Sequence, residues 1–149
     1  MQQHTQVPTA QDAVLEAVPT KTGLLAESGE NYLETILVIK ERSEVGIVRA
    51  IDIANELGIS KPSVSRGLAQ LKEKGLIRIL DSGAILFTPE GQRMATEVFG
   101  RHQLLTVFLQ YVAQVPFDLA EHDACRIEHV ISAQTMKGIR RFLEERQLI

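Results

Sequence analysis

Residues 50–71 read AIDIANELGISKPSVSRGLAQL, and two short helices meeting at a tight turn are written in them. Ala50, Ile51, Ile53, Ala54 and Leu57 give the first an apolar side, and Gly58 accepts the left-handed conformation that closes a helix end. Ser60 can cap the next helix, Lys61 and Pro62 fill its first turn, and Val64, Leu68 and Leu71 recur at i, i+4 and i+7 on its buried side until Gly75. Helices that cross closely need small residues at the crossing and the turn and apolar anchors on the second helix; Ala54, Gly58, Val64 and Leu68 supply these. The pattern is a helix-turn-helix. The second helix presents Ser60, Lys61, Pro62, Ser63, Ser65, Arg66 and Gln70 as DNA-binding candidates, with short hydroxyls and cations suited to phosphates and base edges in a major groove.

Working outward, Leu76–Leu80 and Ala84–Phe87 are short apolar runs around Asp81-Ser82-Gly83, where Gly83 can take positive φ in a tight hairpin. A hairpin placed there is a wing. Thr88 followed by Pro89 is a helix cap with proline in the first turn, so a long helix is predicted to about Val112, with Pro116 marking the break after it. A further helix is predicted over roughly Leu119–Ile131, and Ser132 caps a last one carrying Met136, Ile139, Phe142 and Leu143. Upstream, Tyr32, Leu33, Ile36, Leu37 and Ile39 form a helical stripe from Glu30 to the polar break at Ser43–Gly46. Residues 1–27 hold Pro8 and Pro19 and no sustained period, and read as a mobile arm. The fold class is mainly α: a winged helix-turn-helix over 28–92, then an all-helical domain over 93–149.

At 149 residues and 44% hydrophobic, the chain can bury one or two small cores. A net charge of −3 argues against a generic polyanion binder, because non-specific nucleic-acid affinity comes from many Lys and Arg neutralising phosphates. Any DNA contact is therefore local, and between Lys61 and Arg78 five basic residues face one acid, Glu73. A single cysteine, Cys125, forms no internal disulfide and fits a reducing compartment. No apolar run of membrane-spanning length and no signal-like start is present, so a cytoplasmic location is expected. Leu104, Leu105, Phe108 and Leu109 lie on more than one side of a helix, and some of them are expected at a dimer contact.

Cys125, Glu128 and His129 stand at i, i+3 and i+4, which puts a thiolate, a carboxylate and an imidazole on one helical face. Such a mixed set suits iron(II), cobalt, nickel, zinc or manganese and suits magnesium or calcium poorly. Each residue alone has a plainer role, a buried thiol or a hydrogen-bonded histidine; the trio is harder to dismiss. Competing readings are a winged helix used for protein contacts, a regulator responding to an organic ligand or to oxidation of Cys125, and a metalloenzyme. Against the last, the chain has no helical His-Glu-x-x-His run and no placed base beyond the candidate ligands.

Asp123-Ala124-Cys125-Arg126-Ile127-Glu128-His129-Val130-Ile131-Ser132, with Arg101-His102-Gln103-Leu104-Leu105 before it and Asn31-Tyr32-Leu33-Glu34-Thr35-Ile36 at the front, resembles the diphtheria toxin repressor and manganese transport regulator family over about residues 28–143. The resemblance implies a homodimeric repressor of metal-uptake genes, activated by Mn(2+) or Fe(2+) and bound to a double-stranded DNA operator. It also implies that the helical second domain dimerises and binds metal. Its metal ligands carry over to Asn31, Glu34, His102, Cys125, Glu128 and His129. The set is a hybrid. Asn31 replaces the methionine of the iron type and the aspartate of the manganese type, Cys125 follows the iron type, and Glu34 follows the manganese type. Thr106 and Glu121 stand where the iron type's secondary site has an acid and a histidine, with His122 nearby, and in length the chain resembles the manganese type. Metal is expected to tie the first helix to the second domain and so fix the spacing of two recognition helices in the dimer.

Overall fold

A computed structural model describes residues 27–149. Helix α1 (Glu27–Arg42) is followed by α2 (Ala50–Leu57), α3 (Lys61–Glu73), strands β1 (Ile77–Ile79) and β2 (Ile85–Phe87), and then α4 (Pro89–Val112), α5 (Phe117–Ile127) and α6 (Ala133–Glu145). The arm expected over 1–27 lies outside the described residues, apart from Glu27, which opens α1 ahead of the expected start at Glu30.

Local chemistry sets most element ends. Gly58 closes α2 in the left-handed region at φ 63°. The Ser60 hydroxyl accepts the Ser63 amide to open α3, and Gly75 follows α3 at φ 72°. Thr88 Oγ1 accepts the Gly91 amide at 3.1 Å and donates to the Gly75 carbonyl at 2.7 Å, so one side chain caps α4 and binds it to the end of α3. Ser132 caps α6 through the Thr135 amide at 3.0 Å.

The two strands pair antiparallel, with Ile77 opposite Phe87 and Ile79 opposite Ile85, around a turn in which Gly83 has φ 86°. Val48 adds a bridge to Ile85, whose amide donates to the Val48 carbonyl at 2.8 Å, so the wing has a minimal third edge that no sequence pattern announced.

Two apolar clusters result. In the first, Leu33, Ile36 and Leu37 of α1 meet Ile53, Val64, Leu68, Leu71, Ile77, Ile85 and Ala95. In the second, Leu104 and Leu105 meet Ala124, Met136, Ile139 and Leu143. Helix α4 contributes to both, as one beam shared by the winged helix and the helical end of the chain. Two expectations are corrected. Leu104 and Leu105 are core residues of this chain and so are not surface offered to a second copy, while Phe108 and Leu109 are only partly buried against them. The exposed large apolar side chains near that end are Tyr111, Val112, Phe117, Leu119 and Val130. Helix α5 starts at Phe117 rather than Leu119 and stops at Ile127, short of the expected Ile131. The Val130 and Ile131 amides both donate to the Ile127 carbonyl, and the chain turns toward the extended Ser132 cap of α6.

Candidate metal centre

Helix α1 has two working faces. One buries Leu33, Ile36 and Leu37 in the winged-helix core. The other carries Glu30, Asn31 and Glu34, which the i, i+1, i+4 spacing brings together and which face groups of α4 and α5. His102 arrives from the middle of α4 and Cys125 from the last turn of α5. Glu128 and His129 belong to the turn that ends α5, so the face predicted as continuous helix is completed by a helical turn beyond it.

All six expected ligands converge. His102 Nδ1 lies 3.1 Å from Glu128 Oε2 and 3.6 Å from Glu34 Oε1. His129 Nε2 lies 3.2 Å from both Glu128 Oε1 and Asn31 Oδ1. Cys125 Sγ is 3.9 Å from Asn31 Oδ1. One ligand atom each from His102, Cys125 and Glu128 falls within 4.8 Å of the others, as does one each from Glu34, Glu128 and His129, so Glu128 belongs to both groups.

Glu128 is 0% exposed, and Glu34, His102 and His129 are buried. Yet Glu34 Oε2, His102 Nδ1 and both Glu128 oxygens are buried without a hydrogen-bond partner, the short contacts among them missing hydrogen-bond geometry. Buried polar atoms are ordinarily satisfied, since desolvating one without a partner is costly. Several ligand atoms crowded together without hydrogen-bond geometry between them suit a cation. Carboxylate, imidazole and thiol donors also fit a divalent transition metal better than a hard alkaline-earth ion.

The electrostatics agree. Burial first, then the neighbouring Glu128 carboxylate, pushes Glu34 up to about 8. Burial opposes charge on His102, but Glu128, Glu34 and Glu121 outweigh it and hold the imidazole above its ordinary value.

A supporting shell surrounds the ligands. Glu30 Oε2 lies 3.2 Å from His129 Nδ1 and accepts from the Arg101 guanidinium at 2.8 Å. In the tautomer that donates Nδ1–H to Glu30, His129 Nε2 is the atom left to ligate a metal, the arrangement by which a second carboxylate orients a ligating histidine. Arg101 also donates to the Glu128 carbonyl at 3.2 Å, so it links α1, α4 and the end of α5. Sequence reasoning missed Glu30 and the role of Arg101; their only signal was adjacency to Asn31 and His102. Glu121 sits 3.7 Å from His102 Nε2 and is exposed, whereas His122 pairs with Asp123 at the surface. The Thr106 hydroxyl donates back to the His102 carbonyl at 2.9 Å.

In the helix-turn-helix, Lys61, Pro62, Ser65, Arg66 and Gln70 are exposed on α3 and Ser63 is half-buried. Arg66 donates to Ser63 Oγ at 3.2 Å, and Ser60 and Ser63 share a hydroxyl contact at 2.9 Å, so part of this face also serves the helix cap.

Comparison with known proteins agrees with this architecture at both ends. Residues 24–83 match the family described as iron dependent repressor, N-terminal DNA binding domain, and residues 88–147 match iron dependent repressor, metal binding and dimerisation domain. The transcriptional regulator MntR of Salmonella typhimurium is 34% identical over 118 residues, covering 78% of this chain and 72% of that protein. The diphtheria toxin repressor of Corynebacterium diphtheriae is 31% identical over 121 residues, covering 81% of this chain and 53% of that protein. Among solved structures, a manganese-dependent transcriptional repressor in complex with manganese superimposes with a TM-score of 0.72 at 29% identity, covering 78% of this chain and 52% of the other. The manganese regulator SloR gives 0.69 at 28% identity, with 78% and 53% covered, so the chain spans about half the length of these solved structures. A winged helix joined through α1 and α4 to a buried mixed-donor cluster is thus matched at both ends of the chain, which belongs to the iron-dependent repressor family of metal-dependent transcriptional regulators.

Proposed function

We propose that this chain is a metal-responsive transcriptional repressor of metal-uptake genes, a cytoplasmic homodimer that binds double-stranded operator DNA in response to manganese(II) or iron(II). Residues 28–92 read DNA, and residues 93–149 dimerise and complete the metal site. The reading rests above all on Glu34, His102 and Glu128, buried together from three separate segments with ligand atoms that no hydrogen bond satisfies.

Asn31 and Glu34 provide donors from the helix whose other face is buried in the winged-helix core. His102, Cys125, Glu128 and His129 provide donors from α4 and the end of α5. A bound divalent cation would supply the positive charge that lets Glu34 ionise in this buried site, and its ligands would join α1 to the helical end. The residues then hold α1, and with it α3, at one angle to the dimer. A two-fold dimer reads half-sites about 34–36 Å apart or a multiple of that, so narrowing the distribution of that spacing raises operator affinity. A coupling of about 1–3 kcal/mol, roughly 5- to 150-fold in affinity, is the ordinary scale of such a switch. Ser60, Lys61, Pro62, Ser63, Ser65, Arg66 and Gln70 form the recognition face, with Ser60 and Pro62 shaping the start of α3.

The test uses a duplex enriched from a random pool by the manganese-loaded protein, with binding titrated against manganese(II), iron(II) and zinc(II) in turn. Metal is expected to tighten binding, and His102→Ala and Glu128→Ala are expected to abolish that gain while circular dichroism shows intact helices. Cys125→Glu should move preference toward manganese, since a hard oxygen replaces soft sulfur. Equal binding with and without metal in the parent would refute the reading.

A further inference from the structure

The geometry points to Tyr32 as the positioning residue that carries the state of the metal centre into the recognition helix. The inference rests on the repressor reading above and names the contact through which it works.

Tyr32 stands between two expected ligands, Asn31 and Glu34, yet projects away from them. Adjacent positions on a helix are about 100° apart, so side chains one residue apart serve different partners. The Tyr32 ring is buried in the winged-helix core, and its hydroxyl donates to the Ser63 carbonyl at 3.3 Å. Its ring lies directly against Gly67 of α3, where a Cβ would collide with the ring carbons. Ser63 and Gly67 are one helical turn apart, so a single side chain grips one turn of α3 by both its ring and its hydroxyl.

Glycine inside a helix is locally unfavourable because it fixes a flexible backbone without adding a packing group. The seating of the Tyr32 ring gives Gly67 a physical reason. The gripped turn is the one that presents the proposed DNA-facing groups, with Ser63 Oγ accepting from Arg66 and touching Ser60 Oγ. Other links from α1 to the winged helix are of a different kind. Leu33, Ile36 and Leu37 pack without direction, and the Arg42–Glu56 pair to α2 is solvent-exposed and screened. The Tyr32 hydrogen bond is directional, and close packing against the α3 backbone leaves no slack, so a displacement of α1 at the metal centre moves the start of α3 with it.

In the test, the full-length protein and its Tyr32→Phe variant are titrated with manganese(II) by calorimetry. Each is then bound, with and without manganese(II), to a duplex enriched from a random pool by the manganese-loaded parent. Tyr32→Phe should keep manganese affinity within about twofold, and the gain in duplex affinity caused by manganese should fall about three- to tenfold, the scale of one neutral hydrogen bond. A purely structural role would weaken duplex binding equally with and without metal, leaving that ratio at the parent value, and this result overturns the proposal. Hydrogen exchange on the unaltered parent gives a second measurement: manganese should slow the amides of residues 63–67, and unchanged exchange there while manganese binds also overturns it. A parent that takes up no manganese, or whose duplex binding ignores it, overturns the repressor reading itself before any variant is made.

Discussion

Glu34 and Glu128 are carboxylates buried within reach of the same histidine, His102, and two ionised carboxylates in a desolvated site oppose each other. Burial, and then that opposition, gives the metal-free protein a pH signature. Glu34, pushed up to about 8, and His102, raised by its acidic neighbours, both favour their protonated forms in the folded chain. For groups raised in this way, the stabilising contribution is complete below the unfolded-state value and is lost as pH climbs through the folded-state value. The thermal midpoint of the metal-free protein should therefore fall, relative to that of Glu34→Gln, between about pH 5 and about pH 9. With saturating manganese the trend should reverse, because ligands must shed protons to bind metal. Circular dichroism melts of the two proteins across that range check the sign, and parallel metal-free profiles would remove Glu34 from the account. At this scale Cys125, Glu128 and His129 were legible because three residues within one turn imply one face. Glu30 and Arg101 were not, since a bond spanning 71 positions exists only once α1 has docked on α4.

Among the elements, those whose ends were legible carry their own caps. As caps, Gly58, Ser60, Thr88 and Ser132 act on amides and carbonyls within a few positions, so that part of their reading needs no tertiary knowledge, whereas the Thr88 bond to Gly75 does. The end of α5 was misread because Val130 and Ile131 continue an apolar pattern while the chain turns away at Glu128. The start of α4 offers a contrast within one helix. Gly91 sits so close to the Leu76 carbonyl that a Cβ would overlap its oxygen, whereas a Cβ on Gly100 meets nothing within 4 Å. Gly91→Ala should destabilise the protein by about 1–3 kcal/mol through forced displacement of the α4–β1 junction. Gly100→Ala should instead stabilise it by about 0.5–1 kcal/mol, because alanine is the better helix former. Chemical denaturation of both variants decides the matter; equal effects would mean that the α4–β1 approach is looser than described.

Over the whole molecule, α4 joins two apolar clusters, and the candidate metal site lies where α1 meets α4 and the end of α5. No helix among the described residues is long and apolar enough to cross a membrane. Tyr111, Val112, Phe117 and Leu119 instead leave exposed apolar surface at the α4–α5 corner. In the proposed homodimer this corner replaces Leu104 and Leu105 as the expected contact, since those two are spent on the internal core. Phe117→Asp should shift the protein to monomer in sedimentation at micromolar concentration while its helix content and core stay intact, because a buried unpaired charge is costly at an interface. An unchanged dimer would place the contact elsewhere.

The local code of apolar periods, caps and turn glycines was sufficient for the helix-turn-helix, the wing and the order of the helices. Those features depend on neighbours a few residues away, and the chemistry of Asn31, Glu34, His102, Cys125, Glu128 and His129 was legible through family resemblance. Tertiary structure alone decided that Leu104 and Leu105 face inward, that Val48 joins the wing, that Glu30 and Arg101 meet beside His129, and that Tyr32 seats on Gly67. Each of these is a contact between segments far apart in sequence, and the composition of either segment says nothing about which face it will meet until packing has placed both.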